Sequence, residues 1–190
     1  MTLKVVLFAI LGIAAFGFFV SYKPSQNYKL NNALILPQAT PVPQTSEVRS
    51  LEGTMRLIMT RKENPDGTSN YSFTISDKSD KKSLIFEKTT GKGEEMALPQ
   101  NSWSPNDKHI FIEDRKGTFV DYLLFKANGE FFANGEKYLN VTGLFNQKVK
   151  NYNLKAITGW DDPLLMHVVT INGPLFWFDI TTQSFIQLAR

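Results

Sequence analysis

The sequence predicts an all-β domain, a propeller-like stack of about three antiparallel four-stranded meanders, preceded by one N-terminal transmembrane helix. Three observations carry that expectation. Through residues 51–190, short apolar runs alternate with Gly-, Pro-, Asn- and Asp-rich turns. The hairpin glycines Gly67, Gly117 and Gly173 recur at steps of about fifty residues, the size of one propeller blade. Val5–Val20, VVLFAILGIAAFGFFV, carries no charge and no strongly polar side chain.

Residues 1–23 are accordingly expected to form a transmembrane anchor. The apolar run is a little short for a spanning helix, and Leu3 and Tyr22 extend it into the interface. Signal cleavage needs small residues one and three positions before the cut, and the third position back from Ser21 is bulky, which favours a retained anchor. The expected location is therefore the membrane, single-pass, with the C-terminal domain extracytoplasmic. Residues 24–50 read as a linker: Pro24, Pro37, Pro41 and Pro43 among Gln, Thr, Asn and Ser favour extended, semi-rigid chain. Ala33–Leu36 is a small apolar island within it, able to dock as an edge strand.

The β domain begins at residue 51. Its first unit is Thr54–Thr60, the turn Asn64-Pro65-Asp66-Gly67, Tyr71–Ser76, a polar turn and Ser83–Lys88. The second opens at Trp103 and runs through His109–Glu113, the turn Arg115-Lys116-Gly117, Thr118–Phe125 and Phe131-Phe132-Ala133. A third opens with a turn at Gly159-Trp160-Asp161-Asp162-Pro163 and continues as Leu164–Ile171, Asn172-Gly173, Leu175–Ile180 and Phe185–Leu188. The tryptophan-turn element recurs: Trp103-Ser-Pro-Asn-Asp is echoed by Trp160-Asp-Asp-Pro-Leu. Proline presets such a turn, and Asn or Asp closes it by bonding its own backbone.

The stretch NSWSPNDKHIFIEDRKGTFVDYLLF resembles the repeat of TolB-like β-propellers, in which Trp-Ser-Pro-Asp-Gly-Lys precedes an apolar strand. Trp103, Ser104, Pro105, Asp107 and Lys108 match in type; Asn106 stands where the family usually has Asp, and Asp107 where it has Gly. Phe176-Trp177-Phe178-Asp179-Ile180 through Leu188 is similar to that family's blade ending, and the likeness is weakest over Thr54–Lys88. The resemblance implies radial four-stranded sheets. Propellers close with about four to eight blades and three are counted, so either a homodimer completes a six-bladed ring or an open wedge is capped by residues 24–50 and 134–153.

Composition removes several function classes. The net charge is +3 with acids and bases interspersed, so no phosphate-binding face and no nucleic-acid partner is expected. The chain has no cysteine, which excludes disulfides, thiolate metal sites and a cysteine nucleophile. Its 15 phenylalanines, with Ile, Val, Thr and Tyr, favour strands. Histidine is limited to His109 and His167, both inside expected strands. A zinc site from His109, Glu113 and Asp114 requires Asp114 to bend round, and the bland reading is a packed strand histidine. No Gly-x-Ser-x-Gly elbow occurs, Ser102 and Ser104 read as turn formers, and Gly91-Lys92-Gly93 lacks the rest of a phosphate-binding loop. Glu94-Glu95, Glu113-Asp114 and Asp161-Asp162 pair carboxylates, the ingredients of glycosidic hydrolysis, although neighbouring acids usually mark a solvated turn. Asp107 or Asp161-Asp162 lacks the dense oxygen pattern of a calcium loop. No catalytic, cofactor or metal residues are assigned.

Aromatic rings fall on both faces of their strands at Phe131-Phe132, Phe176-Trp177-Phe178 and Phe119/Tyr122/Phe125, as expected for sheets packed on each side. Beyond the core, Trp103, Trp160, Trp177 and Tyr122 form the candidate partner surface. The expected function is a membrane-tethered interaction module without catalysis, binding a protein or cell-envelope component. The alternatives are an extracytoplasmic hydrolase acting on glycans or peptides and a structural β-sandwich envelope subunit.

Overall fold

The computed structural model describes residues 42–189. Its first sheet comprises β1 (Gln44–Arg49), β2 (Arg56–Glu63), β3 (Ser69–Ser76) and β4 (Lys82–Thr90). The second holds β5 (Glu94–Ala97), β6 (His109–Lys116), β7 (Phe119–Lys126) and β8 (Leu139–Asn140), and the third β9 (Leu154–Asp162), β10 (Leu165–Thr170), β11 (Phe176–Asp179) and β12 (Ser184–Gln187). Each sheet is an antiparallel meander in chain order. A short helix, α1 (Val141–Lys148), joins the second sheet to the third.

The three glycines that set the repeat occupy one structural place, the turn between the second and third strand of each sheet. Gly67 and Gly117 sit there at φ of 82° and 61°, in the left-handed region that glycine enters without a Cβ penalty. The third turn differs, because Asn172 takes the left-handed conformation, at φ of 52°. Gly173 is required there for space: a Cβ would lie 2.6 Å from Tyr152 Cδ1 and 2.5 Å from Thr170 Oγ1.

The sheets pack face on face, and strand alternation divides the core into two layers. Ile110, Ile112, Leu123 and Phe125 point from the second sheet toward Leu57, Tyr71, Phe73 and Ile75 of the first. Their strand neighbours Phe111, Tyr122 and Leu124 point the other way, onto Ile157, Met166, Val168, Phe176 and Phe178 of the third. The middle sheet is thus buried on both faces, which is why its strands read as nearly continuous apolar runs. Helix α1 closes the outer part of the second layer: Phe145, fully buried, meets the rings of Phe176 and Phe185 edge-on at 5.6 and 5.0 Å.

Several expectations are corrected. The sheet starts inside the stretch read as linker, because β1 follows Pro43 directly and, free of proline, pairs with β2 from Gln44↔Arg61 to Arg49↔Arg56. Glu94–Ala97 is a strand and not loop, held by cross-strand pairing that includes Glu95 opposite Arg115. Phe131-Phe132-Ala133 is not a strand: Phe132 N–H bonds Glu136 O and Gly135 N–H bonds Phe132 O in a tight turn, and Leu139–Asn140 completes the sheet instead. The segment Gly159–Pro163 is strand as far as Asp162, kept in register with β10 by three bulge-like shifts.

Helix α1 was not expected, since Gly143 and its polar neighbours hide a single buried stripe. It is nucleated by Asn140, whose side chain accepts from Gly143 N–H at 2.8 Å, and by Val141 and Phe145 on one face. The single-pass membrane location is also corrected. Among the described residues no helix is long and apolar enough to cross a membrane, and α1 spans eight residues. The Val5–Val20 run and the Ala33–Leu36 island on which those expectations rested lie outside the described residues.

Candidate functional site

The recurrent tryptophans hold the sheets together at equivalent places. Trp103 forms a bridge with Ile110, the second residue of β6, and Trp160 pairs with Met166, the second residue of β10. Each indole donates to the backbone of the preceding sheet: Trp103 Nε1 to Val48 O at 3.1 Å and Trp160 Nε1 to Ser102 O at 3.3 Å. Asn101 adds a bond from its Nδ2 to Thr158 O at the second joint. Trp103 and Tyr122, 7% and 4% exposed, point into the two core layers, where a partner does not reach them. Trp160 is half-buried between the second and third sheets, its ring 6.4 Å from that of His109 and 6.2 Å from Phe111. Of the four residues in the candidate partner surface, Trp177 alone lies on an outer sheet face, half-buried, with Nε1 donating to Asp161 Oδ2 at 2.6 Å.

That outer face of the third sheet carries an apolar cluster. Met166, Val168, Phe176 and Phe178 are buried inward, so Leu165, Val169, Leu175 and Trp177 fall on the opposite side. Ile186 joins them opposite Trp177 and is 44% exposed; Ile171 and Leu175 are 52% and 41% exposed. His167 sits in the same row, opposite Trp177, with Nδ1 2.8 Å from Thr158 Oγ1. The outer face of the first sheet has a different character. Its cross-strand pairs are Ile58↔Thr74, Thr60↔Ser72 and Lys62↔Asn70, and a shallow groove of about 490 Å³ runs over the last two of them. Polar groups there already satisfy one another, as where Asn70 Oδ1 accepts from Thr89.

A second concave feature lies where the first and second sheets end together. A cleft of about 450 Å³ is walled by Met55, Asp107, Lys108, His109, Lys126 and Glu130. The Ser104–His109 turn builds its wall: Ser104 Oγ accepts from His109 N–H at 2.9 Å, and Asp107 takes a left-handed φ of 59°. Asp107 Oδ2 accepts from Thr54 across the joint, while Asp107 Oδ1 and His109 Nδ1 are buried without hydrogen-bond partners. Burial lowers the pKa of His109, and the Lys126 and Lys108 ammonium groups add to the shift.

The carboxylates considered for hydrolysis are engaged in structural bonds. Asp161 holds Trp177, Asp162 Oδ1 accepts from Leu164 N–H in the β9–β10 turn, and Glu113 pairs with Arg115. Asp114 is buried against Lys88 and Lys116, at 2.5 and 3.3 Å. Ser102 Oγ donates to Pro99 O and Ser104 Oγ bonds Asn106, so neither faces a histidine side chain as a nucleophile would. Among the described residues no group of three or more His, Asp or Glu side chains is placed to hold a metal ion. Sequence reasoning overlooked the cleft, whose signal is Asp107, a non-glycine residue in a turn position that demands a left-handed backbone.

No protein-family model and no curated protein matches this sequence. Among solved structures, a variant of the AtxE2 isopeptidase with Astexin3-dC4 bound is similar in fold, with a TM-score of 0.51 and 10% sequence identity. The match covers 79% of this chain but 31% of that one, so the chain spans about a third of that protein's length.

Proposed function

We propose that this chain is a propeller-like, non-catalytic interaction module that docks a protein partner on the outer face of its third sheet. One observation carries the proposal: the outer face of the third sheet carries Leu165, Val169, Trp177 and Ile186 around His167, where the first sheet carries Thr60, Lys62, Asn70 and Ser72. Strands built for water on one side alternate, as in Tyr71-Ser-Phe-Thr-Ile; β10 and β11 place Val169 and Trp177 outward where such a strand would place polar residues. An apolar sheet face rimmed by polar groups is the usual mark of an interaction site. Here the rim is Asp161, Asp162 and Asp179 at one end of the sheet.

In this reading each sheet is a blade, and the likeness of Trp103–Lys108 to TolB-like repeats belongs to the same proposal. A partner of different sequence fits better than a second copy completing a six-bladed ring. A ring would bring Val169, Trp177 and Ile186 against the first sheet's outer face, whose Thr60, Ser72, Lys62 and Asn70 are polar. Hydrolysis is disfavoured because Asp161, Asp162 and Glu113 are each committed to a structural bond.

The test is proximity labelling by the full chain in its native cells, comparing wild type with Val169→Lys and Ile186→Lys. Both positions lie on the open face, away from the sheet-to-sheet layers, so folding is retained. A discrete protein lost from the labelled set in both variants is expected. An unchanged set in folded variants overturns the proposal.

A further inference from the structure

The cleft at the joined ends of the first two sheets is independent of that face, and we infer that it binds a small zwitterionic carboxylate, an α-amino acid in size and charge. Three observations converge on it. The cleft volume, about 450 Å³, is ample for such a molecule. Two ammonium groups, Lys108 and Lys126, stand in its wall beside two carboxylates, Asp107 and Glu130, so the lining offers both signs of charge within one small space. Lys126 and Glu130 are 3.9 Å apart, at the outer limit of an ion pair, which leaves both groups capacity for a ligand. The field of the lysines reaches the cleft wall, since both act on His109.

The third observation is that Asp107 Oδ1 and His109 Nδ1, in the same wall, are buried and unpartnered; His109 as a whole is 9% exposed. Buried polar atoms in folded proteins are almost always paired, and two orphans in one wall are an exception that a ligand explains. Both atoms are shielded from the cleft, so engaging them requires the carboxyl and imidazole groups to turn, which for Asp107 gives up the bond from Thr54. The carboxylate of the ligand lies against Lys108 and Lys126, and its ammonium group donates to Asp107, with neutral His109 accepting a further N–H. A metal ion is a poorer occupant, because the described residues converge no third ligand on the Asp107–His109 pair.

Asp107 itself supplies the decisive variant. Its φ of 59° is strained for any side chain and free for glycine, so a residue serving only the turn would be better as Gly. Aspartate there also holds Thr54 through Oδ2, so the variant is read beside Thr54→Val, which removes that bond alone.

The experiment titrates the full chain with glycine, L-alanine, L-serine and L-glutamate at millimolar concentrations, following tryptophan fluorescence, because His109 stacks on Trp160. Saturable binding by at least one is expected. Lys126→Met weakens it by about tenfold or more, Asp107→Gly abolishes it, and Thr54→Val, which removes only the bond to Asp107 Oδ2, leaves it. Absence of saturable binding by every probe, or binding retained in a folded Asp107→Gly chain, overturns the inference. Binding lost equally in Thr54→Val assigns the aspartate to the inter-sheet bond alone and overturns it too.

Discussion

The indole of Trp103 donates its hydrogen bond to the backbone carbonyl of Val48, and the two residues hold the same register in neighbouring sheets. Val48 pairs with Leu57, the second residue of β2, just as Trp103 bridges Ile110, the second residue of β6. The second joint repeats the pattern one carbonyl earlier, from Trp160 to Ser102 O. Each sheet after the first thus carries a donor that fastens it to its predecessor. The outer side of the third sheet is where the series stops within the described residues.

Removing one donor tests the joint. Trp103→Phe keeps a ring in the core but leaves the Val48 carbonyl without its buried partner, at a cost of about 1–3 kcal/mol. Trp160→Phe is milder, about 1 kcal/mol, because Trp160 is half-buried and its bond is longer. Trp103→Ala, which also empties a core site, costs about 3–5 kcal/mol. Urea unfolding followed by circular dichroism gives the order Trp103→Ala, Trp103→Phe, Trp160→Phe; equal effects of the two phenylalanine variants contradict the assignment.

The first and second sheets are also tied by charge. Asp114, its side chain 5% exposed, faces Lys88 of β4 at 2.5 Å and Lys116 of its own strand at 3.3 Å. Hydrogen bonding to Asp114 raises the pKa of Lys116, with the charge of Asp114 second. Asp114→Ala removes the anion the two lysines share and costs about 1–3 kcal/mol, since both ammonium groups keep access to water and Lys116 keeps Asp121. Lys88→Met costs less, since Lys116 remains and the methionine stem still covers apolar surface. Double-mutant cycles are expected to show stronger coupling of Asp114 to Lys88 than to Lys116; the reverse order would mean that the inter-sheet pair contributes little.

How far these features could be read beforehand follows from what each depends on. The repeat was legible because Gly67, Gly117 and Gly173 mark the same turn in every sheet, and turn chemistry is local. The tryptophan-turn echo was legible as a recurrence but not as a joint, because the acceptors Val48 and Ser102 lie more than fifty residues upstream of their donors. Strands β1 and β5 escaped notice because they are edge or short strands with polar composition, held by pairing and not by burial. Phe131-Phe132 misled for the opposite reason: an aromatic pair reads as strand, yet Gly129 and Gly135, both at positive φ, bracket it in turns. The cleft depends on three segments distant in sequence meeting at one end of the stack, which no local pattern encodes.

His109 gives the fold a pH dependence. Burial, followed by the Lys126 and Lys108 charges, holds its pKa below the ordinary imidazole value of about 6.5. The unfolded chain therefore takes up a proton near pH 6.5 that the folded chain refuses, and stability falls as pH drops from about 6.5 toward the lower folded value. The charged groups lining the cleft beside the ring are Asp107, Lys108, Lys126 and Glu130, and the ring stacks on Trp160. His109→Phe is expected to flatten the stability profile between pH 5 and 7; a slope that persists in this variant assigns it elsewhere.

The three repeat glycines occupy one structural place but do not carry one penalty. Gly117 has φ of 61° and nothing within 4 Å of a Cβ, so Gly117→Ala costs only left-handed backbone strain, about 1–2 kcal/mol. Gly67 is similar, with the flexible stem of Lys92 at 3.6 Å. Gly173 lies outside the left-handed region, yet its Cβ would press on Tyr152 Cδ1 at 2.6 Å and on Thr170 Oγ1 at 2.5 Å. Thr170 Oγ1 donates to Pro174 O in a buried bond, and the Tyr152 ring packs 5.9 Å from Phe176, so neither neighbour yields without breaking a contact. Gly173→Ala is therefore expected to cost more than Gly117→Ala, about 2–3 kcal/mol, through overpacking. Asn172→Gly, one residue earlier, relieves a φ of 52° and is expected to be neutral or slightly stabilising. Melting temperatures of the three variants, measured side by side, check the order; a Gly117→Ala chain less stable than Gly173→Ala would show that backbone strain and not crowding governs these turns.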